Sequence, residues 1–353
     1  MESIEKHLRK DIRSLTETQL KEFLLEHGEQ AFRTKQILQW IWQKSAFSFD
    51  QMTNLSLQTR ELLKNHFEFR KINIYQQQKS NDGTIKVAFK LYDNHFVEGV
   101  LIPTETRMTA CISSQVGCSL TCKFCATGYM GRKRNLEAPE IYDQVVAINQ
   151  LAQQHYQKSI TNIVFMGMGE PLLNYANVLK AIHYLTSPDG LQISPKRITV
   201  STAGIAKMIH KLADDKVKFN LALSLHAAND EKRNQIMPIN ESNSLKALKN
   251  ALLDFYLRTK NEITYEYILF EDFNDSLKDA EELYQLTKHY PVKINIIQYN
   301  PIRQAQFRNA SEDKVVQFTK YLAQKGINVR IRRSRGKDID AACGQLANQS
   351  LLS

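Results

Sequence analysis

The first 70 residues carry apolar side chains at helical spacing. Two groups recur every three or four positions, as they do on one face of an amphipathic helix. The groups are Leu20, Phe23 and Leu24, followed by Ile37, Leu38 and Ile41. This pattern predicts a small helical N-terminal domain over residues 1–70.

Residues 71–103 change to a period of two. Apolar residues at positions 85, 87, 89 and 91 alternate with Lys86, Ala88 and Lys90. Such alternation is typical of a half-buried strand, and the preceding turn at residues 81–83, Asn-Asp-Gly, is a hairpin signal. The segment therefore predicts a short β extension that ends near Pro103.

From residue 104 to residue 346, short apolar runs alternate with amphipathic stretches. The runs predicted as strands are Thr109–Ser113, Asn162–Met166, Arg197–Ser201, Phe219–Leu225, Ile263–Leu269 and Val292–Gln298. Helices are predicted to begin near Pro139, Asn174, Ser244, Ser276 and Ser311, and the last of them to stop before Gly326. This α/β succession of six units predicts a parallel sheet, either open and doubly wound or closed into an incomplete barrel.

Charge and hydropathy indicate the kind of partner and the cellular location to expect for this chain. The 353 residues include 47 Lys and Arg against 37 Asp and Glu, a net charge of +10 that fits a polyanionic partner or a general solubility charge. No run approaches the roughly 18 apolar residues of a membrane span. The start, Met1–Arg13, mixes both charge signs and lacks the apolar core of a secretion signal. We expect a cytoplasmic monomer that makes no membrane contact.

Three of the five cysteines lie close together. Cys118, Cys122 and Cys125 are spaced by four and then three residues, which lets one loop hold a [4Fe-4S] cluster. Clusters that only transfer electrons use four cysteines, so the spacing predicts one iron left open for another ligand. A zinc site would need a fourth Cys or His at motif distance. Three inert thiols at this spacing would be a coincidence.

The cysteine spacing resembles the signature of the radical S-adenosylmethionine superfamily. The resemblance implies a partial (β/α)6 barrel, in agreement with the six units. It also implies that the open iron binds the methionine end of S-adenosylmethionine, and that one electron then releases a 5′-deoxyadenosyl radical. By the same resemblance, residues that follow the predicted strands bind this cofactor. They are Glu170, Pro171, Ser201, Ser224, Leu225, His226 and Asn300.

Longer segments resemble one family within that superfamily, the RlmN family of RNA adenine C2-methyltransferases. The segments are CISSQVGCSLTCKFCATG, FMGMGEPLLN, LSLHAAND, MPIN, YNP and RGKDIDAACGQL. The resemblance implies methylation of an adenosine in the peptidyl-transferase centre of 23S ribosomal RNA. It also implies methylation of the adenosine 3′ to the anticodon in some transfer RNAs, with flavodoxin or ferredoxin as electron donor.

The two remaining cysteines are Cys111 and Cys343, and a lone cysteine is most often an inert buried thiol. The family resemblance instead implies two S-adenosylmethionine molecules per turnover. Cys343 takes a methyl group from the first, and the radical from the second removes hydrogen from that methyl. The methylene radical adds to carbon 2, Glu98 removes the C2 proton, and Cys111 frees the product by forming a disulfide with Cys343. Glu98 could alternatively be a surface carboxylate.

Basic residues cluster near both reactive loops. Arg132–Arg134 follow the cysteine loop, and five Lys and Arg lie within residues 330–337, just before Cys343. These runs predict phosphate contacts with single-stranded or looped RNA. The N-terminal domain is a candidate for a second RNA contact through Arg33, Lys35, Trp40 and Trp42. The two tryptophans equally fit a hydrophobic core.

Three other functions compete with C2 methylation. The related Cfr enzyme methylates carbon 8 of the same adenosine, but Pro171 and Arg335 favour carbon 2. A radical enzyme acting on protein or metabolites would not need Cys343. A non-catalytic RNA-binding iron–sulfur protein would not cleave S-adenosylmethionine.

Overall fold

The computed structural model describes residues 9–348, so the first eight residues of the charged segment Met1–Arg13 lie outside it. The N-terminal part is helical, as the apolar spacing predicts. Its helices are α1 (Glu17–Glu26), α2 (Arg33–Leu38) and α3 (Leu57–His66). A π-helical turn over Gln39–Gln43 continues α2. Two short strands, β1 (Lys10–Asp11) and β2 (Phe67–Glu68), pair in parallel beside these helices.

Buried contacts join the N-terminal helices to the rest of the molecule. The Arg13 guanidinium is 3% exposed and donates to Asp143 Oδ1 at 2.7 Å. The ring of Trp42 stacks on Tyr184 with centroids 3.6 Å apart, and this tryptophan is 3% exposed. Trp42 is therefore a core residue rather than an RNA contact. Trp40 is half-buried.

One ten-stranded sheet organises the remainder. Its strands are β3 (Asn73–Lys79), β4 (Ile85–Lys90), β5 (Phe96–Pro103), β6 (Met108–Cys111), β9 (Asn162–Phe165), β10 (Ile198–Thr202), β11 (Asn220–Ser224), β12 (Ile263–Ile268), β13 (Lys293–Ile297) and β14 (Asn328–Arg332). The spatial order is β14-β13-β12-β11-β10-β9-β6-β5-β4-β3. Between β6 and β9 in the chain, β7 (Gln115–Val116) and β8 (Arg134–Asn135) form a separate antiparallel pair.

The predicted β extension is an antiparallel continuation of the parallel sheet. Its strands β3, β4 and β5 pair in sequence, and β5 then pairs with β6 so that Val100 lies opposite Cys111. The predicted hairpin turn joins β3 to β4, and Gly83 within it has a φ of +86°. The main sheet and the extension therefore share one hydrogen-bonded ladder.

Seven strands, β6 and β9 to β14, run parallel to one another. All six predicted strands are present, but β14 was missed because its sequence Asn-Val-Arg-Ile-Arg alternates charged and apolar residues on an exposed sheet edge. The connecting helices are α4 (Ala138–Tyr156), α5 (Tyr175–Thr186), α6 (Ala206–Asp214), α7 (Asp230–Ile236), α8 (Leu245–Thr259), α9 (Leu277–Thr287) and α10 (Glu312–Gln324). Ser244, Ser276 and Ser311 are side-chain caps of the helices predicted to begin there.

The succession of parallel strands and helices forms the partial barrel of the radical S-adenosylmethionine fold. In such folds the carboxyl ends of the strands carry the reactive groups. The cysteine loop follows β6, the Gly-Glu-Pro motif follows β9, and Cys343 follows β14. Among the described helices, none has the length and apolar character needed to cross a bilayer.

Candidate active site

A cavity lies at the carboxyl ends of the first parallel strands. Nine of the proposed site residues line it: Cys118, Cys122, Cys125, Glu170, Pro171, Ser201, Ser224, His226 and Cys343. The structure therefore gathers residues from five separate segments of the chain around one space. Glu98, Cys111, Leu225 and Asn300 are not among the residues that line it.

The three clustered thiols lie on the loop between β7 and β8. Gly117, just before the first thiol, has a φ of +73°, and a Cβ at this position would lie 1.9 Å from the carbonyl oxygen of Gly131. Only glycine allows the two ends of the loop to approach so closely. At the first thiol, the backbone N–H of Leu120 donates to Cys118 Sγ at 3.4 Å.

Burial disfavours the ionised form of these thiols. It raises the pKa of Cys118 to about 12, and it raises the pKa of Cys122, where the charges of Cys125 and Cys118 add to the effect. Burial also raises the pKa of Cys125. Three neighbouring thiolates therefore need a bound cation to become stable.

The surroundings fit an iron–sulfur cluster with three protein ligands. Apolar residues, Leu120, Phe124 and Met237, line the cavity beside the thiols. Within residues 9–348, no group of three or more His, Cys, Asp or Glu side chains is arranged to hold a single metal ion. The donor set is three soft sulfur ligands facing an open space, which suits an iron–sulfur cluster with one free iron.

Glu170 is a buried carboxylate at the edge of the cavity. Its Oε1 accepts from the N–H of Leu172 at 3.0 Å, and its Oε2 accepts from the N–H of Ala203 at 2.7 Å. Burial nevertheless raises its pKa to about 6. The backbone of Glu170 is itself held by Gln115, whose Oε1 accepts the Glu170 N–H at 2.8 Å. This arrangement fits recognition of the amino group of S-adenosylmethionine.

The third and fourth parallel strands contribute two hydroxyls and a neutral imidazole. Ser201 Oγ and Ser224 Oγ lie 3.4 Å apart. His226 has a left-handed φ of +58°, and its Nδ1 accepts from the N–H of Ile268 at 3.1 Å. Burial lowers the pKa of His226 to about 3, so its ring is neutral. Leu225 points into the core, at 1% exposure.

The loop that carries Cys343 is bound back over the cysteine loop. The N–H of Ala126 donates to Gly344 O at 2.7 Å, and Thr127 Oγ1 donates to Leu346 O at 2.5 Å. Asn300 Nδ2 donates to the carbonyl of Cys343 at 3.1 Å. Asn300 Oδ1 is buried and has no hydrogen-bond partner among the described protein groups. Asn300 therefore positions Cys343 and keeps one acceptor free.

A second cavity runs along the inside of the barrel below the first. Cys111, from the end of β6, lines it together with Cys343. Cys111 is 5% exposed, and burial, followed by the charge of Cys343, raises its pKa to about 12. The two leftover cysteines, far apart in sequence, therefore face the same space.

Two charged residues that sequence reasoning missed lie at the junction of the cavities. Arg332 and Glu266 line both, and Arg332 Nη1 lies 3.5 Å from Glu266 Oε2. The negative charge of Cys343 is the main cause that raises the pKa of Arg332. Arg332 was counted only as part of a basic run, and Glu266 falls inside an apolar strand. The period of two in β12 and β14, which points both side chains inward, could have identified them.

Glu98 lies on β5 beneath the C-terminal segment. It is 1% exposed, so the alternative of a surface carboxylate is wrong. Its Oε2 accepts from the N–H groups of Ala347 and Asn348 at 2.9 and 3.0 Å, and its Oε1 lies 3.7 Å from Lys86 Nζ. Burial raises its pKa. Leu346, adjacent to this contact, lines both cavities.

The basic runs divide into structural and exposed residues. Arg134 is bound to Asp93 and Glu140 at 2.5 and 2.7 Å, whereas Arg132 and Lys133 are exposed. Near Cys343, three exposed arginines line the second cavity: Arg330, Arg333 and Arg335. The second cavity therefore has a basic rim next to two thiols.

Comparison with known proteins identifies the family of this chain. The family model for the ribosomal RNA large subunit methyltransferase N-terminal domain matches residues 1–69, and the radical SAM superfamily model matches residues 112–287. A relative from Cytophaga hutchinsonii, named "Probable dual-specificity RNA methyltransferase RlmN", is 65% identical over 96% of this chain and 93% of its own. The chain belongs to the RlmN family. It is thus a radical S-adenosylmethionine RNA methyltransferase.

A second relative and a solved structure support the same assignment. "Dual-specificity RNA methyltransferase RlmN 2" from Myxococcus xanthus is 43% identical over 96% of this chain and 91% of its own. The crystal structure of a radical SAM methyltransferase from Sphaerobacter thermophilus superimposes with a TM-score of 0.90 at 37% identity. The superposition covers 96% of this chain and the whole of the Sphaerobacter thermophilus chain. The family resemblance and the fold predicted from the sequence are confirmed, as are the [4Fe-4S] cluster and S-adenosylmethionine as cofactors.

The raised pKa of Glu170 makes stability depend on pH. Its value of about 6 exceeds the ordinary 4.5, so the folded protein binds the Glu170 proton more tightly than the unfolded chain does. The stabilisation of the folded state by this proton is complete below the unfolded pKa and is lost as pH rises through about 6. Glu170→Gln removes the titration. We expect the variant's unfolding free energy, relative to wild type, to rise by up to about 2 kcal/mol between about pH 4.5 and 7.

Urea unfolding of the cluster-free proteins measures this difference. Glu105→Gln, at an exposed loop position, is the matched control and should show no such trend. A difference between Glu170→Gln and wild type that stays constant with pH would contradict the assignment.

Proposed function

We propose that this enzyme methylates carbon 2 of adenosine in RNA. Its proposed substrates are an adenosine in the peptidyl-transferase centre of 23S ribosomal RNA and the adenosine 3′ to the anticodon of some transfer RNAs. The name of the relatives, dual-specificity RNA methyltransferase, supports two kinds of RNA substrate. Pro171 and Arg335 favour carbon 2 over carbon 8, as the sequence comparison with the Cfr pattern implies.

One observation carries the proposal. Cys343 lines both the cavity beside the cluster ligands and the second cavity, which also holds Cys111. A sulfur atom at this junction can receive a group from a cofactor on one side and transfer it to a base on the other. A radical enzyme that acts directly on its substrate would not require a nucleophile there.

The chemistry of the target explains why a carbon radical is needed. Carbon 2 of adenine is electron-poor and has no lone pair, so it cannot attack a sulfonium methyl group. When bound, the cluster supplies the electron that splits S-adenosylmethionine and so provides a 5′-deoxyadenosyl radical. Cys343, once methylated, offers the methyl hydrogen to that radical and then carries the methylene radical that adds to carbon 2.

Arg332 is placed to activate Cys343 for the first methyl transfer. Thiolate is the nucleophilic form of cysteine, and a nearby guanidinium favours it. The Coulomb attraction between Cys343 and Arg332 is the largest cause of the raised Arg332 pKa. Asn300 holds the carbonyl of the same residue, which fixes the position of the sulfur during the transfer.

The two thiols are expected to act in a fixed order. Burial and the charge of Cys343 raise the pKa of Cys111, so negative charge on Cys343 disfavours a second thiolate at Cys111. Methylation of Cys343 removes that charge and leaves Arg332 free to stabilise a Cys111 thiolate. Once the adduct radical has returned one electron to the cluster and Glu98 has taken the C2 proton, Cys111 can attack the sulfur of Cys343 and form the disulfide. The bond between that sulfur and the methylene carbon then breaks, and a proton added to this carbon completes the methyl group of the released RNA.

Glu98 is the proposed acceptor of the C2 proton. Its raised pKa makes it a stronger base than an ordinary carboxylate. The described conformation keeps Glu98 Oε2 bound to Ala347 and Asn348. Proton removal by Glu98 therefore requires residues 346–348 to shift when RNA enters. This shift exposes the Glu98 carboxylate to the adenine.

The exposed arginines at the rim of the second cavity are the proposed phosphate contacts. Arg330, Arg333 and Arg335 border the space that both thiols face. A base that reaches Cys343 must leave its stack, so loops and single strands are better substrates than duplexes. Binding should weaken steeply with salt because phosphate contacts supply most of the affinity.

Anaerobic turnover with RNA tests the proposed function directly. The reconstituted enzyme, reduced by flavodoxin, should convert adenosine to 2-methyladenosine in a 23S ribosomal RNA fragment and in a transfer RNA. Mass spectrometry of the digested nucleosides locates the methyl group. Methylation at carbon 8, or no methylated adenosine in either RNA, would refute C2 specificity.

The two thiols should give opposite phenotypes. Cys343→Ala should abolish methylation while the visible absorption of the cluster stays unchanged. Cys111→Ala should instead accumulate RNA covalently bound to the protein, since the adduct on Cys343 is no longer resolved. Denaturing gels measure the adduct, and the double variant is the control that should show none. Free methylated product from Cys111→Ala at the wild-type rate would exclude its role.

Glu98→Gln should separate the two halves of the reaction. Methylation of Cys343 needs no base at Glu98, so intact-protein mass spectrometry should still detect methyl-Cys343. The rate of RNA methylation should fall by at least about a hundredfold, the lower end of the range for a lost general base. Glu105→Gln, an exposed carboxylate on a nearby loop, should behave as wild type. A normal RNA methylation rate in Glu98→Gln would assign that carboxylate to structure alone.

A further inference from the structure

Arg233 is a fully buried cation that the proposed mechanism does not use. It lies on α7, is 0% exposed and is the largest fully buried side chain among the described residues. Its guanidinium donates to four acceptors: Asn240 Oδ1 at 2.6 Å, Ala203 O at 2.6 Å, Leu225 O at 3.0 Å and Ser224 O at 3.2 Å. All four acceptors are neutral.

No carboxylate within residues 9–348 lies at salt-bridge distance from this guanidinium. The nearby carboxylate of Asp230 instead accepts from the Asn240 amide at 2.8 Å. Burying a charge without a counter-ion costs several kcal/mol in proteins. Burial lowers the pKa of Arg233 to about 10, which still leaves the group charged at neutral pH. The charge of Asp230 favours the charged form of Arg233 only through space, and it contributes less than that of Cys122.

The anion that can balance Arg233 is on the cysteine loop. Two acceptors of the Arg233 guanidinium, the carbonyls of Ala203 and Ser224, belong to residues that line the cavity together with the three clustered thiols. Among nearby charges, that of Cys122 contributes most to favouring the charged form of Arg233. The loop and α7 are also joined directly, because the N–H of Lys123 donates to Ile236 O at 3.0 Å. On the same side, the ring of Phe124 packs edge-on against His226 at 4.6 Å.

We propose that Arg233 is the buried counter-charge of the iron–sulfur cluster held by Cys118, Cys122 and Cys125, and that it raises the reduction potential of that cluster. Reduction adds one negative charge to the cluster. A fixed cation in a dry, low-dielectric site stabilises the reduced form more than the oxidised form. Arg233 is thus a positioning residue that makes the cluster easier to reduce, without contacting the RNA.

A purely structural role is the competing explanation. Arg233 ties together carbonyl groups of residues 203, 224 and 225, which border the cofactor cavity. Such a brace would affect cofactor binding and stability but would leave the potential of the cluster unchanged. The reduction potential, measured without S-adenosylmethionine or RNA, therefore separates the two roles.

The test is an anaerobic redox titration of the reconstituted full-length protein, followed by electron paramagnetic resonance of the reduced cluster. Arg233→Gln should shift the ratio of reduced to oxidised cluster at least tenfold towards the oxidised form at a fixed potential. This shift corresponds to a midpoint about 59 mV lower for one electron. Arg233→Lys keeps the charge but loses most of the bracing bonds, so it should stay closer to wild type.

Two further variants complete the design. Arg258→Gln removes an exposed cation on α8, where side-chain exposure is 49%, and should leave the midpoint unchanged. Asn240→Asp keeps the guanidinium but places a negative charge where its amide oxygen lies, 2.6 Å from Arg233 Nη1. Asn240→Asp should lower the midpoint potential of the cluster as Arg233→Gln does. If Arg233→Gln binds no cluster, Asn240→Asp provides the test instead.

Iron content of four per chain confirms that each measured variant is loaded. A wild-type midpoint in loaded Arg233→Gln or Asn240→Asp would overturn the counter-charge role. Equal shifts in Arg233→Lys and Arg233→Gln would also overturn it, because the charge would then have no influence. None of these outcomes depends on which RNA, or which carbon of adenosine, is methylated.

Discussion

The hydrogen bonds between the C-terminal loop and the cysteine loop bring together the reactive parts of this enzyme. The bonds from Ala126 to Gly344 and from Thr127 to Leu346 hold the two loops in contact. On the other side of the C-terminal loop, Asp82 Oδ2 accepts the N–H of Gly336 at 2.9 Å, which fixes the start of the loop to the β3–β4 hairpin. Cys343 lies between these anchors and therefore reaches both cavities. Without them, the sulfur of Cys343 would have no defined position between the two cavities.

Charged side chains around this junction have complementary tasks. Arg332 and Glu266 lie where the two cavities meet, and Arg332 favours negative charge on Cys343. Arg233 lies beneath the cysteine loop and balances the charge of the cluster ligands. Arg332 acts on Cys343 and Arg233 acts on the cluster. Each cation acts mainly on the sulfur atoms nearest to it, because low-dielectric surroundings strengthen charge interactions at short range. The barrel thus supports a nucleophilic thiolate and a reducible cluster side by side.

Much of the fold and part of the site could be predicted from the sequence. Cys118, Cys122 and Cys125 are recognisable because their ligand geometry is local, and the strands because parallel strands are short apolar runs. Strand β14 was missed because edge strands tolerate charged residues. Arg233 was missed as well, because it lies in the polar run Asp-Glu-Lys-Arg-Asn, which is typical of an exposed helix rather than of a buried cation.

The sequence by itself determined the cluster motif, the succession of strands and helices, and the family, since each depends on residues close together in the chain. Only the tertiary structure decided that Cys111 and Cys343 face one cavity and that Glu98 lies under residues 347 and 348. It alone also shows that, within residues 9–348, no carboxylate lies at salt-bridge distance from Arg233. The physical reason is that these relations depend on loop-to-loop hydrogen bonds and burial between distant segments, which no local spacing encodes.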